Sequence, residues 1–532
     1  MSPLIHQAVR MLAWLLTSLC LVTPTWANGS EPRRGGTLHL GFQTDWRSLD
    51  PAVAFDAASL PVVRLMFRGL IAYDAKTGLV PDQARDWQVT PDGRTWTFHL
   101  LDGVRFSNGR EVGAEDYVYS FQRLLTPTTG SPGQTYLLNI AGAPEFAAGK
   151  TNRVAGLSAP DQRTLVIQLL EPQFTFRYVL AMVFAAVVPH EVIEKSGKEF
   201  NSHLVGTGPY RLVQRERSIR TILDRNPFYI GHDGYVDGME IQFGPDPTLL
   251  SMMLERGNID RTEASPAEAV RFLRDPKLKS WVQSVDTVST DYLFMNTEVK
   301  PFNDVRVRRA MNHALNKERL IRLVAASGVQ ADGIVPPAMP WSNPSLPHYE
   351  YDPVKARRLL AEAGFPDGFK ADFWYILSRP KDVRIAGGIQ QDLKEVGIDL
   401  SLRPVTYPAF EVKVRSRNQA SCGYWGWMQD YPDPSNFLDV LLSGHRITDS
   451  DCNNVSFYNN PEVDRRIDLA SQSNDPAARQ RWFAEAETAV ANDAPWVPVL
   501  HEQIPMLTHP RLHGTDSHPV WLWRYEYMWL DP

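Results

Sequence analysis

Residues 422–444, CGYWGWMQDYPDPSNFLDVLLSG, carry a strand, a turn and a helix in one continuous stretch. Side chains alternate across a strand, so Trp425 and Trp427 fall on one side, and Gly426 between them leaves room for another backbone to approach. In the second half Asp433 is placed to cap a helix with Pro434 as its first residue. Phe437, Leu438, Leu441 and Leu442 form its apolar face, and Gly444 ends it. Asp433 is accounted for as a cap, whereas Asp430 stands at the end of the strand with no capping role. A carboxylate beside two indoles and an open strand edge suits a ligand with a positive amino group, a desolvated charge-assisted contact contributing about 1.5–3 kcal/mol. The plainer alternative is an Asx-turn ahead of Pro432.

The same alternation of strand and helix runs outward in both directions, with no internal repeat, and places the chain in the α/β class. Trp96, Phe98 and Leu100 alternate with polar residues after the turn Pro91-Asp92-Gly93, which predicts a strand with one buried face. Asp352 predicts a helix cap with Pro353 at the first position, Leu359, Leu360 and Ala363 inward, and Gly364 as terminator. After Asn303-Asp304 a further helix is expected, with Val307, Met311, Ala314 and Leu315 inward and Arg306, Arg308 and Arg309 solvated. At 532 residues and 43% apolar composition the chain can bury more than one core, and two or three domains are expected. A net charge of −6 supplies no field for nucleic acid.

At the N-terminus His6 and Arg10 precede an uncharged apolar run from Met11 to Val22, shorter than the about 20 residues that span a bilayer. Thr25-Trp26-Ala27 then places small residues at the two positions a signal peptidase inspects. Residues 1–27 read as a cleaved secretory signal, with the mature chain starting at Asn28 and working outside the cytoplasm. Cys20 leaves open a lipoprotein anchor, against which Leu19 argues, because that signal needs a small residue before the cysteine. In an oxidising compartment Cys422 and Cys452 are expected to pair, and closing their loop of about 30 residues contributes roughly 3–4 kcal/mol on the chain-entropy account.

A search for catalytic constellations returns none. His190-Glu191-Val192-Ile193-Glu194 begins like a zinc-protease helix but ends in Glu where the second ligand belongs. There is no G-x-S-x-G, P-loop, G-x-G-x-x-G or C-x-x-C. His509, His513 and His518 lie in a Pro- and Gly-punctuated stretch with no fixed face. The aromatic stripe Trp521, Trp523, Tyr525, Tyr527, Trp529 reads as one buried face of a strand in preference to a sugar platform. No metal and no cofactor are expected, and the missing motifs weaken an enzymatic reading without closing it; an exported hydrolase is the reading from a different class.

Ordered motifs extend across nearly the whole mature chain: Ser48-Leu49-Asp50-Pro51; Leu79-Val80-Pro81 with Ala84 and Trp87; Pro91-Asp92-Gly93 through Phe98 to Gly103-Val104-Arg105-Phe106-Ser107-Asn108-Gly109 and Asp116. Downstream stand Gly206-Thr207-Gly208-Pro209-Tyr210, Arg225-Asn226-Pro227-Phe228-Tyr229, Gly257-Asn258-Ile259-Asp260, Asn296-Thr297, and Pro301-Phe302 leading to Arg306-Val307-Arg308-Arg309-Ala310. In these the chain resembles the peptide- and nickel-binding class of solute-binding proteins that serve bacterial ABC importers. It departs at Leu100-Leu101-Asp102-Gly103, which lacks the usual basic residue before the glycine.

The resemblance implies a two-lobed α/β protein that encloses its ligand. Domain I is expected from 28–70, 203–288 and 495–532, domain II from 71–202 and domain III from 289–494, with hinge crossings near 289 and 494. It further implies an extended short peptide added to strand edges, a permease and ATPase complex as partner, and a monomer. Residue by residue, Asp430 falls where peptide-binding members hold the ligand's amino terminus. Gly426, Trp427 and Met428 fall on the pairing strand, with Trp425 beside them, and Asp45 and Trp46 on the opposite edge. Tyr407 falls at a side-chain pocket, and Arg379 and Lys381 where a basic group meets the ligand's carboxylate. A nickel chelate or an oligosaccharide is the alternative cargo on the same fold.

Overall fold

The computed structural model describes residues 31–531 apart from 55, 57, 232, 233, 325, 326, 344 and 474. The expected signal segment 1–27, with Cys20, lies outside the described residues. Among those described, no helix is long and apolar enough to cross a membrane.

Twelve strands build the principal sheet: β1 (Thr37–Phe42), β2 (Tyr210–Glu216), β3 (Arg220–Arg225), β4 (Gly238–Phe243), β5 (Arg261–Glu263), β6 (Val282–Asp286), β7 (Ser289–Met295), β8 (Gly328–Gln330), β9 (Phe369–Ile376), β10 (Ile398–Val405), β11 (Cys422–Met428) and β12 (Trp496–Thr508). The order is β10-β9-β11-β7-β12-β5-β1-β4-β3-β2, with β6 and β8 also pairing β12. Strand β12 therefore joins two lobes. Its first half pairs with β7 and β8, and its second half with β5 and β6.

Register fixes the direction of every strand relative to β12. Strand β5 runs antiparallel to it and ends toward the second lobe, Arg261 opposing Thr508 and Glu263 opposing Met506. β1 and β4 are parallel to β5 and share that direction. In the second lobe β7 runs away from the first, so β11, antiparallel to β7, and β9 and β10, parallel to β11, end toward the first lobe. The carboxyl ends of the parallel strands of the two lobes face each other.

Each face of the sheet is covered. In the second lobe one face carries Leu293, Met295, Cys422 and Tyr424 and the other Tyr292, Phe294 and Trp425, each set inside its own apolar cluster. Packed on these faces are α1 (Val305–Ala314), α2 (Pro353–Glu362), α3 (Pro380–Glu395), α4 (Tyr407–Val414), α5 (Ser435–Leu442) and α6 (Pro476–Asp493). A separate four-stranded sheet, Ala84–Val89, Thr95–Leu100, Thr164–Gln168 and Leu157–Asp161, has its own core built on Trp96, Phe98, Tyr117 and Phe121.

The local expectations are met where short-range chemistry decides. Thr95–Leu100 buries Trp96, Phe98 and Leu100 in alternation. Asp352 caps α2 by accepting from the Lys355 amide at 2.8 Å, and Gly364 adopts φ +91° beyond its end. Asp433 accepts from the Ser435 amide at 3.0 Å at the start of α5, whose Phe437, Leu438, Leu441 and Leu442 are buried.

Three expectations are corrected. Arg308 is not solvated: it is buried, its Nε donating to the Asp493 carbonyl at 2.8 Å and its Nη1 to the Phe302 carbonyl at 2.9 Å, because α1 is covered by the end of α6 as well as by the sheet. The C-terminal aromatics are buried at Trp523, Tyr525 and Trp529, but in irregular chain with a 3-10 turn at Tyr525–Tyr527 and a strand only at Trp529–Leu530. α6 ends at Asp493, and β12 changes partners from β7 and β8 to β6 between Glu502 and Gln503.

Cys422 and Cys452, expected to be joined, are free and buried. The Cys422 thiol faces the Asp372 carbonyl at 3.3 Å from its place on β11, and the Cys452 thiol faces the Asn454 carbonyl at 3.4 Å from a loop, so the two are turned to different partners. Burial pushes the Cys422 thiol up to about 12. Both thiols are expected to resist alkylation at pH 8 in the native protein and to react in denaturant without prior reduction. A requirement for reductant, read by mass spectrometry of the alkylated chain, would restore the disulfide.

Candidate ligand site between the lobes

Ligands of open α/β sheets bind outside the carboxyl ends of parallel strands, where loops diverge and backbone groups lie unpaired. Here those ends bring together residues far apart in sequence. Arg379 and Lys381 follow β9, Tyr407 follows β10, and Asp430 follows β11; from the other lobe Asp45 and Trp46 follow β1, and Glu263 ends β5.

Asp430 is half-buried and held by the helix that follows it. Asn436, in the first turn of α5, donates to Asp430 Oδ2 at 3.0 Å, while its Oδ1 accepts from the Asp430 amide and from Trp427 Nε1, each at 3.0 Å. The strand, turn and helix read in the sequence thus lock one carboxylate and one indole to a single amide side chain. Burial raises the Asp430 pKa, against the pull of the bond from Asn436 and of Tyr136, which approaches from the opposite lobe.

Beside Asp430 the edge of β11 is open. β11 pairs with β7 from Cys422 to Met428, but among the described residues it pairs with β9 only through Cys422 and Gly423. From Tyr424 to Met428 the edge on the β9 side has no strand partner. Trp425 is buried against Phe410, and Gly426, Trp427 and Met428 are half-buried. Gly426 has a local reason as well: a side chain there would collide with the carboxylate of Asp291, its partner on β7.

Asp291 anchors a charged group that the sequence reading did not include. Tyr424 donates its hydroxyl to Asp291 at 3.1 Å, and Lys381 Nζ lies 2.6 Å from Asp291 and 2.7 Å from Glu502. Burial works against the Lys381 ammonium, but the two carboxylates more than offset it and its pKa is raised. Burial and the nearby Asp291 push the Asp382 carboxyl up to about 7. Arg379 sits 5.1 Å from the Tyr407 ring, and Tyr407, 38% exposed, donates to Glu411 at 3.1 Å. In the first lobe Trp46 is buried edge-on to Phe243 at 4.8 Å, and Asp45 binds Arg215 at 3.3 Å and accepts from the Ser218 amide at 2.9 Å. The side chains of Asp45 and Trp46 are therefore engaged within their own lobe.

The lobes are in contact. Tyr178 and Tyr431 stack at 6.1 Å, the Arg479 guanidinium lies 3.8 Å from the Phe174 ring, and Gln429 Nε2 donates to the Pro519 carbonyl at 2.8 Å. Of the C-terminal histidines, His513 pairs with Asp531 at 2.9 Å and His509 packs on Trp281. His518 is buried, and burial lowers it to about 4.

Sequence reading missed Tyr136, Asn436, Asp291 and Glu502. Two were detectable: Asp291 and Glu502 are the acidic residues of two largely apolar strands, STDYLFM and WVPVLHEQIPMLT. Asn436 lies six residues beyond Asp430, and no local pattern marks Tyr136.

A family model for bacterial extracellular solute-binding proteins, family 5 Middle, matches residues 78–449. Heme-binding protein A of Haemophilus influenzae is 32% identical over 469 residues, covering 83% of this chain and 82% of that protein. Glutathione-binding protein GsiB of Salmonella typhi is 28% identical over 470 residues, covering 87% and 88%. The periplasmic binding protein DppA of Helicobacter pylori, solved with the peptide STSA, superposes with a TM-score of 0.77 at 26% identity, over 94% of this chain and 99% of that one.

Proposed function

We propose that this chain, which belongs to the bacterial extracellular solute-binding proteins of family 5, captures short peptides in the periplasm and delivers them to an ABC permease and ATPase complex. The observation that carries the reading is the half-buried Asp430 carboxylate at the carboxyl end of β11, next to an edge that lacks a strand partner from Tyr424 to Met428. Such an edge takes the main chain of an extended peptide without regard to side chain, and the carboxylate takes its α-amino group. Gly426, Trp427 and Met428 are the pairing residues, with Trp425 behind them. Tyr136 completes the amine subsite from the other lobe, and the chain at Asp45 and Trp46 contributes backbone to the opposite edge. Lobe closure presents the loaded form, and nothing is turned over.

The names of the relatives widen the cargo to be tested. Glutathione carries a free amino group that Asp430 would hold in the same way, whereas heme has none. Titration calorimetry with di-, tri- and pentapeptides, glutathione, hemin and N-acetylated peptides tests the reading, alongside mass spectrometry of molecules that co-purify. Peptides with a free amino terminus are expected to bind at least about tenfold more tightly than their acetylated forms, the worth of one charge-assisted contact. Binding of hemin, chelates or sugars alone would sink it.

A further inference from the structure

Arg261 is a buried cation that forms no ion pair among the described residues. It lies on β5 between Leu40 of β1 and Thr508 of β12, and its side chain is 1% exposed. Its Nη1 donates to the Thr515 carbonyl at 3.3 Å, its Nε and Nη2 have no partner among the described residues, and its guanidinium stands 5.3 Å from the Trp523 ring. Three other buried guanidiniums meet a carboxylate, Arg64 with Glu526 at 2.9 Å, Arg215 with Asp45 at 3.3 Å and Arg479 with Asp433 at 2.6 Å, and Arg308 donates to two backbone carbonyls. Burying a guanidinium without such a partner carries a large desolvation penalty; at Arg261 the charge of Asp516 acts against it from beyond ion-pair distance and does not offset it.

Its position points toward the cleft. Arg261 precedes by two residues Glu263, the last residue of β5, and shares its face of the strand. At about 3.3 Å per residue this puts it roughly 7 Å from the strand's carboxyl end. It is covered by the segment from Thr515 to Trp523, and that segment is bound to the second lobe through the Pro519 carbonyl and Gln429. Meanwhile Lys381, the basic residue expected to meet a ligand's carboxylate, is already held by Asp291 and Glu502.

We propose that Arg261 is the residue that receives the C-terminal carboxylate of the peptide cargo, with the Thr515–Trp523 segment closing over it when Gln429 meets Pro519. The proposal rests on the peptide reading above. It moves the carboxylate subsite from the second lobe to the first, so that an extended ligand is held by its amine on one lobe and its carboxylate on the other.

The test is calorimetry of the full mature protein with short peptides as free acids and as C-terminal amides, on the wild type, Arg261→Met and Arg261→Lys. In the wild type, amidation is expected to weaken binding at least about tenfold, the worth of one charge-assisted contact. In Arg261→Met acid and amide should bind alike, and Arg261→Lys should keep part of the difference. The melting temperature of ligand-free Arg261→Met should stay level or rise, because an uncompensated buried charge has been removed. A fall in melting temperature with the amidation penalty intact would make Arg261 a structural cation and overturn the proposal. Wild-type protein that binds peptides but does not distinguish acid from amide overturns it and leaves peptide capture standing. Wild-type protein that binds neither form overturns both.

Discussion

Replacing Asp433 by alanine is expected to destabilise the second lobe by about 3–5 kcal/mol, the range found when one partner of a buried ion pair is removed. Asp433 Oδ2 lies 2.6 Å from Arg479 Nη2, and both side chains are 0% exposed. The same carboxylate also accepts from the Ser435 amide at the start of α5, so the substitution removes a helix cap as well. What remains is a guanidinium with the Ala470 carbonyl at 2.5 Å and the Phe174 ring at 3.8 Å as its main company. Arg479→Met alone should cost a comparable amount, because it strands the carboxylate. The double variant Asp433→Ala/Arg479→Met should recover most of the loss, since an ion pair and an apolar pair of similar volume differ little once both are buried. Urea unfolding followed by tryptophan fluorescence reads all four corners of the cycle. A loss below about 1 kcal/mol for Asp433→Ala, the size of a surface pair, would contradict the account.

The second large effect is on ligand affinity. Asp430→Asn is expected to weaken binding of peptides with a free amino terminus at least about tenfold, while leaving N-acetylated peptides unchanged. Asparagine keeps the shape of the side chain and its contact with Asn436, so the change isolates the charge. Burial raises the Asp430 pKa. The amine contact requires the ionised carboxylate, so it is fully present above the raised pKa and is lost as pH falls through it. Wild-type affinity should therefore decline at a higher pH than an ordinary carboxylate would dictate, and the Asn variant should show no such decline. Equal affinities for the two proteins at neutral pH would remove Asp430 from the site.

The elements of this protein were legible wherever a few neighbouring residues decide the outcome. Asp352 and Asp433 were recognisable as caps because the amide each accepts from lies two or three residues ahead. Trp96, Phe98 and Leu100 were recognisable as one strand face because alternation is a property of the backbone itself. Asp430 stood out in the sequence for the complementary reason, that no local role used it. The ordered motifs from Ser48 to Ala310 carried the two-lobed α/β fold, which the family match and the superposition on DppA bear out.

The fates of single polar side chains were not legible, because each depends on which distant group arrives beside it. Lys381 reads as a free cation until Glu502, 121 residues away, and Asp291 on β7 enclose it. Arg308 reads as solvated until Asp493 of α6 closes over its helix. Cys422 and Cys452 read as a pair until the sheet turns one thiol and a loop the other to different carbonyls. By itself the sequence determined the compartment to expect, the class of fold and one carboxylate, Asp430, without a local role, all of which rest on motifs and patterns along the chain. Only the tertiary structure decided which charges are already neutralised and which, like that of Arg261, stand buried with no ion pair among the described residues, because compensating a buried charge is a matter of distance in space, on which separation along the chain has no bearing.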